Sequence, residues 1–178
     1  TEESARWSHF TVENGLLSNR VVGVVADDEN LFVASDYGLA TTQLEQSRFL
    51  TVAALPSLSS LVSHGGKLVL CKDNGETLGV PSDVSNLRRT IPAKWTRVAI
   101  STGSRVRMLD DELWLLSNDG LYRANASDAE IRFSRWGETR QSLTSNLISA
   151  LSVDSQGRLW AGTFRNGPLG VMSKLLPP

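Results

Sequence analysis

The sequence has very few of the residues that build disulfides and transition-metal centres. Its 178 residues include one cysteine, Cys71, and two histidines, His9 and His64. A single cysteine excludes an internal disulfide, and two distant histidines do not supply the converging ligands that a transition metal needs. We therefore predict no metal and no other cofactor.

An excess of one charge and long hydrophobic runs are also missing. The formal net charge is −1, and the lysines and arginines are scattered, so the chain lacks the basic footprint of a nucleic-acid-binding protein. The longest apolar run extends from about Val21 to Ala26, far short of the roughly 20 residues that cross a bilayer. We predict no nucleic-acid partner and no membrane insertion of this chain.

Familiar catalytic signatures are absent as well. The sequence has no Gly-x-Ser-x-Gly elbow, no phosphate-binding glycine loop and no His-Glu-x-x-His motif. The acidic stretches 27–30 and 110–112 contain ligands of the type that Ca²⁺ prefers. Because both stretches fall at the same hairpin position in different units, an exposed turn is the favoured interpretation. We predict that the chain is not an enzyme.

What the sequence does contain is one unit used four times. A short apolar run of strand length begins about every 43 residues, at Leu31, Leu68, Leu113 and Leu159. Each run is followed by a hairpin-type turn that ends in glycine, namely Gly38, Gly75, Gly120 and Gly167. Nearly continuous apolar runs are typical of strands that are covered on both faces, so the pattern predicts four similar sheets.

The first and last units align most closely. Asp27 aligns with Asp154, and Gly23 in the first strand of the first unit aligns with Ala150. A small residue at this place suits the innermost strand of a radial structure, where backbones approach each other closely.

The large aromatic residues are interpreted as structural. Trp114 and Trp160 occupy equivalent places in buried strands, which predicts that both pack between sheets. Phe49, Trp95 and Trp136 mark the fourth strands of the first three units.

Four-stranded units of about 43 residues have the size of β-propeller blades. We predict an all-β fold, a small β-propeller of four four-stranded antiparallel blades that forms a single domain over residues 1–178. The last blade lacks an outer strand, and we expect the N-terminal strand, residues 5–11, to supply it and close the ring. The alternative is that two open half-rings pair into a larger ring. The predicted blades cover about 12–51, 52–97, 98–138, and 139–173 together with 5–11.

Two segments resemble the repeat of the two-component regulator propeller family. Residues 10–21, FTVENGLLSNRV, follow its order of an aromatic residue, a threonine, an Asn-Gly-Leu turn and a Ser-Asn pair before a buried strand. Residues 143–148, LTSNLI, followed by 154–163, DSQGRLWAGT, match the repeat more closely. The resemblance implies a periplasmic sensor-type β-propeller; members are usually longer propellers of hybrid histidine kinases that detect glycans or similar ligands.

The topology of an up-and-down blade predicts where a ligand binds. The turn between the second and third strands lies on the same face as the connection into the first strand, so polar residues of all four units collect on one loop face around the central opening. Six of them are our predicted ligand- or partner-binding residues: Arg20, Tyr37, Asn74, Asp119, Asn146 and Arg165.

We therefore predict a non-catalytic binding module, an extracytoplasmic accessory or scaffold subunit that is periplasmic or associated with the membrane surface. Its loop face would engage a protein partner or a glycan. One alternative is a ligand-sensing domain of a two-component regulatory system. The other is an enzyme of the propeller lyase or lactonase type, which would use acidic residues or histidines around a central metal.

Overall fold

The computed structural model describes residues 7–83, 95–99, 101–125, 131–136 and 148–163. These residues form fourteen strands and one short 3₁₀ helix, Val12–Asn14. The strands are β1 (Val21–Ala26), β2 (Asn30–Ser35), β3 (Gly38–Gln43), β4 (Leu50–Ala54), β5 (Leu58–His64), β6 (Lys67–Lys72), β7 (Glu76–Pro81), β8 (Thr96–Arg97), β9 (Arg105–Leu109), β10 (Glu112–Ser117), β11 (Gly120–Asn125), β12 (Phe133–Arg135), β13 (Ile148–Val153) and β14 (Leu159–Thr163).

The strands pair in chain order into four antiparallel sheets. Sheet 1 contains β1 to β4, sheet 2 contains β5 to β8, sheet 3 contains β9 to β12, and sheet 4 contains β13 and β14. The all-β class and the division into four sheets are therefore confirmed. The outer two strands of the last blade were predicted to come from residues 164–173 and 5–11. Residues 164–173 and residues 5 and 6 lie outside the described residues.

The sheets fan out from their first strands. β1 contacts β5, β5 contacts β9, and β9 contacts β13, so the first strands lie side by side in chain order. Gly23 in β1 makes the first of these contacts possible, because a Cβ atom there would lie 2.8 Å from Cβ of Leu61 and 2.9 Å from its backbone nitrogen. The predicted close approach at the small residue of the innermost strand is confirmed at this position.

Three apolar layers separate successive sheets, and side chains alternate between two of these layers along the second strands of sheets 2 and 3, β6 and β10. Phe32 of sheet 1 packs with Leu61 and Leu68 of sheet 2. Val69 of sheet 2 packs with Leu113 of sheet 3. Because both faces of these strands are covered, the strands are apolar at nearly every position, and each fully buried leucine or phenylalanine contributes roughly 1.5–3 kcal/mol.

The third layer shows why the two equivalent tryptophans differ. Trp114 of sheet 3 is buried against Leu159 and Ala161 of sheet 4. Trp160 lies between those two residues on β14, so its side chain is on the opposite face of sheet 4, where it is 38% exposed. Trp160 is therefore not packed between described sheets, and the predicted packing of Trp160 in the last blade concerns residues outside the described ones.

The N-terminal segment lies against sheet 1. Residues 7–11 form no strand. The Phe10 ring meets the Phe49 ring edge-on at a centroid distance of 5.5 Å, and Leu16 joins Val33 and Phe49 on the face of sheet 1 that is turned away from sheet 2. The side chain of Thr11 accepts a hydrogen bond from the Glu13 amide and caps the 3₁₀ helix that follows.

This arrangement bears on the expected closure of the ring. In residues 7–11, the described part of the expected N-terminal strand, the chain makes no strand pairing with sheet 4. The capped turn and the ring contact with Phe49 give these residues partners on sheet 1 instead. The described residues therefore do not confirm a closed ring, and closure by residues 5–11 stays a prediction.

Candidate functional site

An open cavity of about 730 Å³ lies where the first strands of sheets 1, 2 and 3 meet. We call it the central cavity. Its walls come from the beginning of β1, the beginning of β5, two residues of β9, and the turns that follow β2 and β6. The lining residues are Arg20, Val21, Val22, Asp36, Tyr37, Pro56, Ser57, Leu58, Ser59, Asp73, Arg105 and Arg107.

A chain of main-chain hydrogen bonds brings these segments together. The amide of Asp36, in the turn after β2, donates to the carbonyl oxygen of Arg20 at 3.2 Å. The Ser57 amide donates to the Asp36 carbonyl at 2.8 Å, and the Asp73 amide donates to the Ser57 carbonyl at 2.8 Å. The Ser104 amide then donates to the Asp73 carbonyl at 3.1 Å. The turns after β2 and β6 are thus each tied to the segment that leads into the next first strand.

Serine side chains lock sheet 2 to sheet 3 behind the cavity. Ser59 Oγ donates to the carbonyl oxygen of Ser104 at 2.5 Å and lies 3.1 Å from the Cys71 carbonyl oxygen. Ser60 Oγ accepts a hydrogen bond from the Val106 amide at 2.8 Å.

Burial raises the pKa of the Cys71 thiol to about 12, so this group stays protonated near neutral pH and is not a nucleophile.

Both carboxylates of the cavity have a neighbour inside the protein. Asp36 Oδ2 lies 3.7 Å from an Nη atom of Arg20, whose side chain is 79% exposed. Asp36 Oδ1 is buried and has no hydrogen-bond partner among the described residues. Asp73 Oδ1 accepts a 3.0 Å hydrogen bond from the amide of Gly103.

Two further guanidinium groups line the cavity. Arg105 and Arg107 are exposed and flank Val106 on β9, which is fully buried. Neither guanidinium forms an ion pair with a described residue. Three arginines and two aspartates line the cavity, so it carries an excess of one positive charge in a chain whose net charge is −1.

Tyr37 forms the aromatic part of the site and is 62% exposed. Its main-chain carbonyl accepts a hydrogen bond from the Leu55 amide at 2.9 Å, which fixes the backbone of the turn without using the ring. The ring therefore offers an apolar face and a hydroxyl group to a ligand in the cavity.

The structure brings together some of the six predicted site residues and separates others. Arg20 and Tyr37 line the central cavity. Asn74 does not line it, and its Oδ1 accepts the Glu76 amide at 3.1 Å within the turn after β6. Asp119 also lies outside the cavity, where its Oδ2 accepts the Tyr122 hydroxyl at 3.1 Å. The other two, Asn146 and Arg165, are outside the described residues.

Arg105 and Arg107 are not among the six residues predicted from the sequence. A signal for them was present, because the order Arg105-Val106-Arg107 places two charges on one face of a strand and an apolar residue on the other. Since this strand is the first of its unit, the charged face lines the central cavity.

The acidic hairpin positions close turns. Asp27 Oδ1 accepts the amides of Glu29 at 3.0 Å and Asn30 at 2.7 Å. Asp154, its equivalent in the last unit, accepts the Trp160 indole N–H at 2.8 Å and the Arg158 amide at 2.9 Å. These hydrogen bonds hold the pKa of Asp154 far below its usual range, and the bond from the Trp160 indole has the largest effect.

Among the residues that the structure describes, no three histidines, cysteines or carboxylates are grouped as metal ligands would be.

Comparison with known proteins supports the resemblance found in the repeats. Residues 142–165 match the family model of the two component regulator propeller, so the predicted resemblance is confirmed. No curated protein matches the chain in sequence. The described residues include no helix that is both long and apolar enough to cross a membrane.

Several solved structures share the fold at low sequence identity. The extracellular domain of a putative hybrid two component system from B. thetaiotaomicron superimposes with a TM-score of 0.62 at 17% identity, over 92% of this chain and 22% of that one. The N-terminal domain of Nup159 gives a TM-score of 0.54 at 17% identity, over 84% of this chain and 41% of that one. The computationally designed Ika4 protein gives 0.59 at 8% identity, over 89% and 91%.

The chain therefore has a propeller-type fold and is similar to the extracellular domain of a two component system protein. It spans 22% of the length of that domain. At identities this low, the likeness shows the fold alone.

Proposed function

We propose that this chain is a non-catalytic binding module whose loop face engages a glycan or a protein partner in the central cavity. The observation that carries the proposal is the arrangement of that cavity. Main-chain hydrogen bonds fix its turns, while the ring of Tyr37 and the guanidinium groups of Arg105 and Arg107 stay exposed. Exposed polar and aromatic groups on a rigid concave frame are what a binding site requires.

The cellular setting is proposed from the similar proteins. The matched family model describes two component regulator propellers, and a solved structure of the same fold is an extracellular domain. We place the chain outside the cytoplasm, as an accessory or scaffold subunit of a larger assembly.

A ligand-sensing role is the second candidate, and the family match over residues 142–165 favours it. In that role, occupancy of the central cavity would change the activity of a transmembrane kinase that belongs to the same system. A genome in which no such kinase is encoded next to this sequence, or continuous with it, would remove the support for sensing. It would leave the binding role untouched.

The binding role is tested with the Tyr37→Ala variant, which removes an exposed ring but no main-chain hydrogen bond. Wild type and variant are compared on a glycan array and in pull-downs from the native source. Arg48→Gln is the control, because Arg48 is exposed between β3 and β4, at the opposite ends of the strands from the cavity.

We expect Tyr37→Ala to weaken capture of the ligand about tenfold or more, and Arg48→Gln to leave it unchanged. The proposal fails if wild type binds no glycan and retains no partner. It also fails if a ligand is captured equally well by Tyr37→Ala and by variants of the cavity arginines.

A further inference from the structure

We propose that the free face of sheet 4 binds the free face of sheet 1 of a second copy of this chain, so that two copies of four sheets form one ring of eight. The face of sheet 4 that is turned away from sheet 3 is called the tail face. The face of sheet 1 that is turned away from sheet 2 is called the head face. Both are distinct from the central cavity, so the inference does not rest on the proposed function.

The contact between sheets 1 and 2 shows what such a face binds. Gly23 pairs with Ala34 in the ladder between β1 and β2, and Phe32 lies two residues before Ala34 on the same face. Phe32 is fully buried against Leu61 and Leu68 of sheet 2, and Gly23 lets Leu61 approach closely. A large aromatic side chain beside two small residues is therefore the arrangement that receives the next sheet.

Sheet 4 has the same arrangement on its tail face. Ala150 pairs with Gly162, and Trp160 lies two residues before Gly162 on the same face. The register shift that precedes Gly23 in β1 recurs before Ala150 in β13, so the two ladders match position by position and Trp160 is the equivalent of Phe32. Trp160 is 38% exposed and Ala150 is exposed. Trp160 thus stands where a further sheet would bury it.

The head face matches the side of sheet 2 that packs on sheet 1. Leu61 in β5 and Val24 in β1 are each the second paired residue after the register shift of their strand. Val24 lies on the head face, because its ladder partner Val33 is buried in the layer on that side. Leu61 is buried, whereas Val24 is 57% exposed. Since Leu61 meets Gly23, the repeat predicts that Val24 meets Ala150.

The N-terminal segment leaves room for this contact. Phe10 rests on Phe49, directly before the outer strand β4, and Leu16 lies in the same layer. The layer between sheets 1 and 2 also contains Leu55, from the segment that leads into β5. Such a segment and a neighbouring sheet therefore share one layer, and Val24 on the innermost strand remains exposed beside the segment.

The second copy follows from the exposure of both faces. Within one molecule the head and tail faces do not cover each other, since Val24 and Trp160 are both exposed. The first sheet that the tail face can bind is therefore that of another molecule. In a head-to-tail pair each copy provides one face of each kind, so the same contact forms twice and the ring closes. Two contacts formed together hold the pair more tightly than one would.

The experiment measures the mass of the 178-residue chain by sedimentation over a range of concentrations. The variants are Val24→Asp on the head face, Ala150→Arg on the tail face, and a double variant with both substitutions. Leu44→Asp is the matched control, because Leu44 is 52% exposed in the turn after β3. Since all three positions are exposed, we expect unchanged circular dichroism spectra, which show that the variants are folded.

We expect wild type to have twice the 19.4 kDa mass of one chain. Val24→Asp and Ala150→Arg should each raise the dissociation constant of the pair about tenfold or more, because each places a charge in an apolar contact. The double variant should associate more tightly than either single variant, since the introduced carboxylate of one copy meets the introduced guanidinium of the other. Leu44→Asp should associate like wild type.

A cross-link identifies the contact itself. A mixture of Val24→Cys and Ala150→Cys proteins should form a disulfide-linked pair on mild oxidation, because the two positions are adjacent in the proposed contact. Neither variant should form this pair alone, and the native Cys71 is buried.

Four results would overturn the inference. They are a wild-type mass of one chain at every concentration, masses that grow beyond two chains, a dissociation constant that Val24→Asp and Ala150→Arg leave unchanged, and a cysteine mixture that does not cross-link. None of them bears on ligand capture in the central cavity, which Tyr37→Ala tests separately.

Discussion

The amide of Val106 donates a 2.8 Å hydrogen bond to the side-chain oxygen of Ser60, a residue 46 positions earlier in the chain. Both residues are fully buried. The bond crosses from the first strand of sheet 2 to the first strand of sheet 3, so a side chain satisfies a main-chain donor that has no place in either ladder. It is a direct polar link between two successive sheets.

This link predicts the effect of Ser60→Ala. The substitution leaves the Val106 amide buried without an acceptor, which costs about 1–3 kcal/mol. We expect the free energy of unfolding in urea to fall by that amount. Ser82→Ala is the control, because Ser82 donates to the Gly66 carbonyl at an exposed place, and its effect should stay within about 0.5 kcal/mol. Equal losses in both variants would show that the link between sheets 2 and 3 is not stabilising.

The close approach of β1 and β5 predicts a cost for Gly23→Ala. The added methyl group would lie 2.8 Å from Cβ of Leu61, so the two strands must separate, and overpacking of this kind costs about 1–3 kcal/mol. Gly162→Ala is a matched control in another strand, where the nearest heavy atom to an added Cβ is Cβ of Ala150 at 3.5 Å. Urea unfolding of both variants checks the prediction, and a Gly23→Ala protein as stable as Gly162→Ala would contradict it.

The contact between Phe10 and Phe49 predicts that the N-terminal segment stabilises sheet 1. Phe10→Ala removes the edge-on ring contact at 5.5 Å, for which we expect a loss of about 1 kcal/mol. Hydrogen exchange at the amides of Val33 and Ala40, in the layer that this segment covers, should become faster. Trp7→Ala is the control, since Trp7 is 95% exposed, and it should change neither quantity. If Phe10→Ala leaves exchange in sheet 1 unaltered, these residues have their main contacts elsewhere.

The lowered pKa of Asp154 predicts a dependence of stability on pH. Since the folded protein favours the ionised carboxylate, this group stabilises the fold fully above its ordinary pKa of 3.8. The contribution is lost as the pH falls below that value toward the lower folded pKa. The melting temperature should therefore fall less steeply between pH 6 and pH 2.5 in Asp154→Asn than in wild type.

Asp28→Asn is the control for the pH experiment, because Asp28 is exposed in the equivalent turn of the first unit and Asp27 makes the hydrogen bonds that close that turn. The melting temperature of Asp28→Asn should fall with decreasing pH as steeply as that of the wild type. An Asp154→Asn protein with the same acid dependence as wild type would refute the assigned role of this carboxylate.

The repeat allowed most of the fold to be predicted from the sequence. The apolar runs from Leu31, Leu68, Leu113 and Leu159 each form the second strand of a sheet. For the first three, the pattern is continuous because side chains alternate between two faces that are both covered.

The site was harder to predict, because it depends on which turns meet in space. Arg20 and Tyr37 were found from topology, since the turn after a second strand must lie beside the start of a first strand. Asn74 and Asp119 satisfied the same rule but are used within their own turns. Arg105 and Arg107 belong to a strand, and a search confined to turns does not reach them.

The position of the N-terminal segment was beyond sequence reasoning for a different reason. A surplus aromatic segment at the start of the chain is compatible with pairing to the last sheet and with covering the first one. Among the described residues, Phe10 and Leu16 pack on sheet 1, and pairing of residues 5–11 with the last sheet stays a prediction.

The hydrogen bonds that run from Arg20 through Asp36, Ser57 and Asp73 to Ser104 use main-chain atoms alone. These hydrogen bonds of the central cavity consequently do not depend on which side chains the linked residues carry. New specificities can be installed at positions 37, 105 and 107 by substitution, without redesigning the backbone that presents them. A library of variants at these three positions, all with the same backbone, is a direct way to search for new ligands.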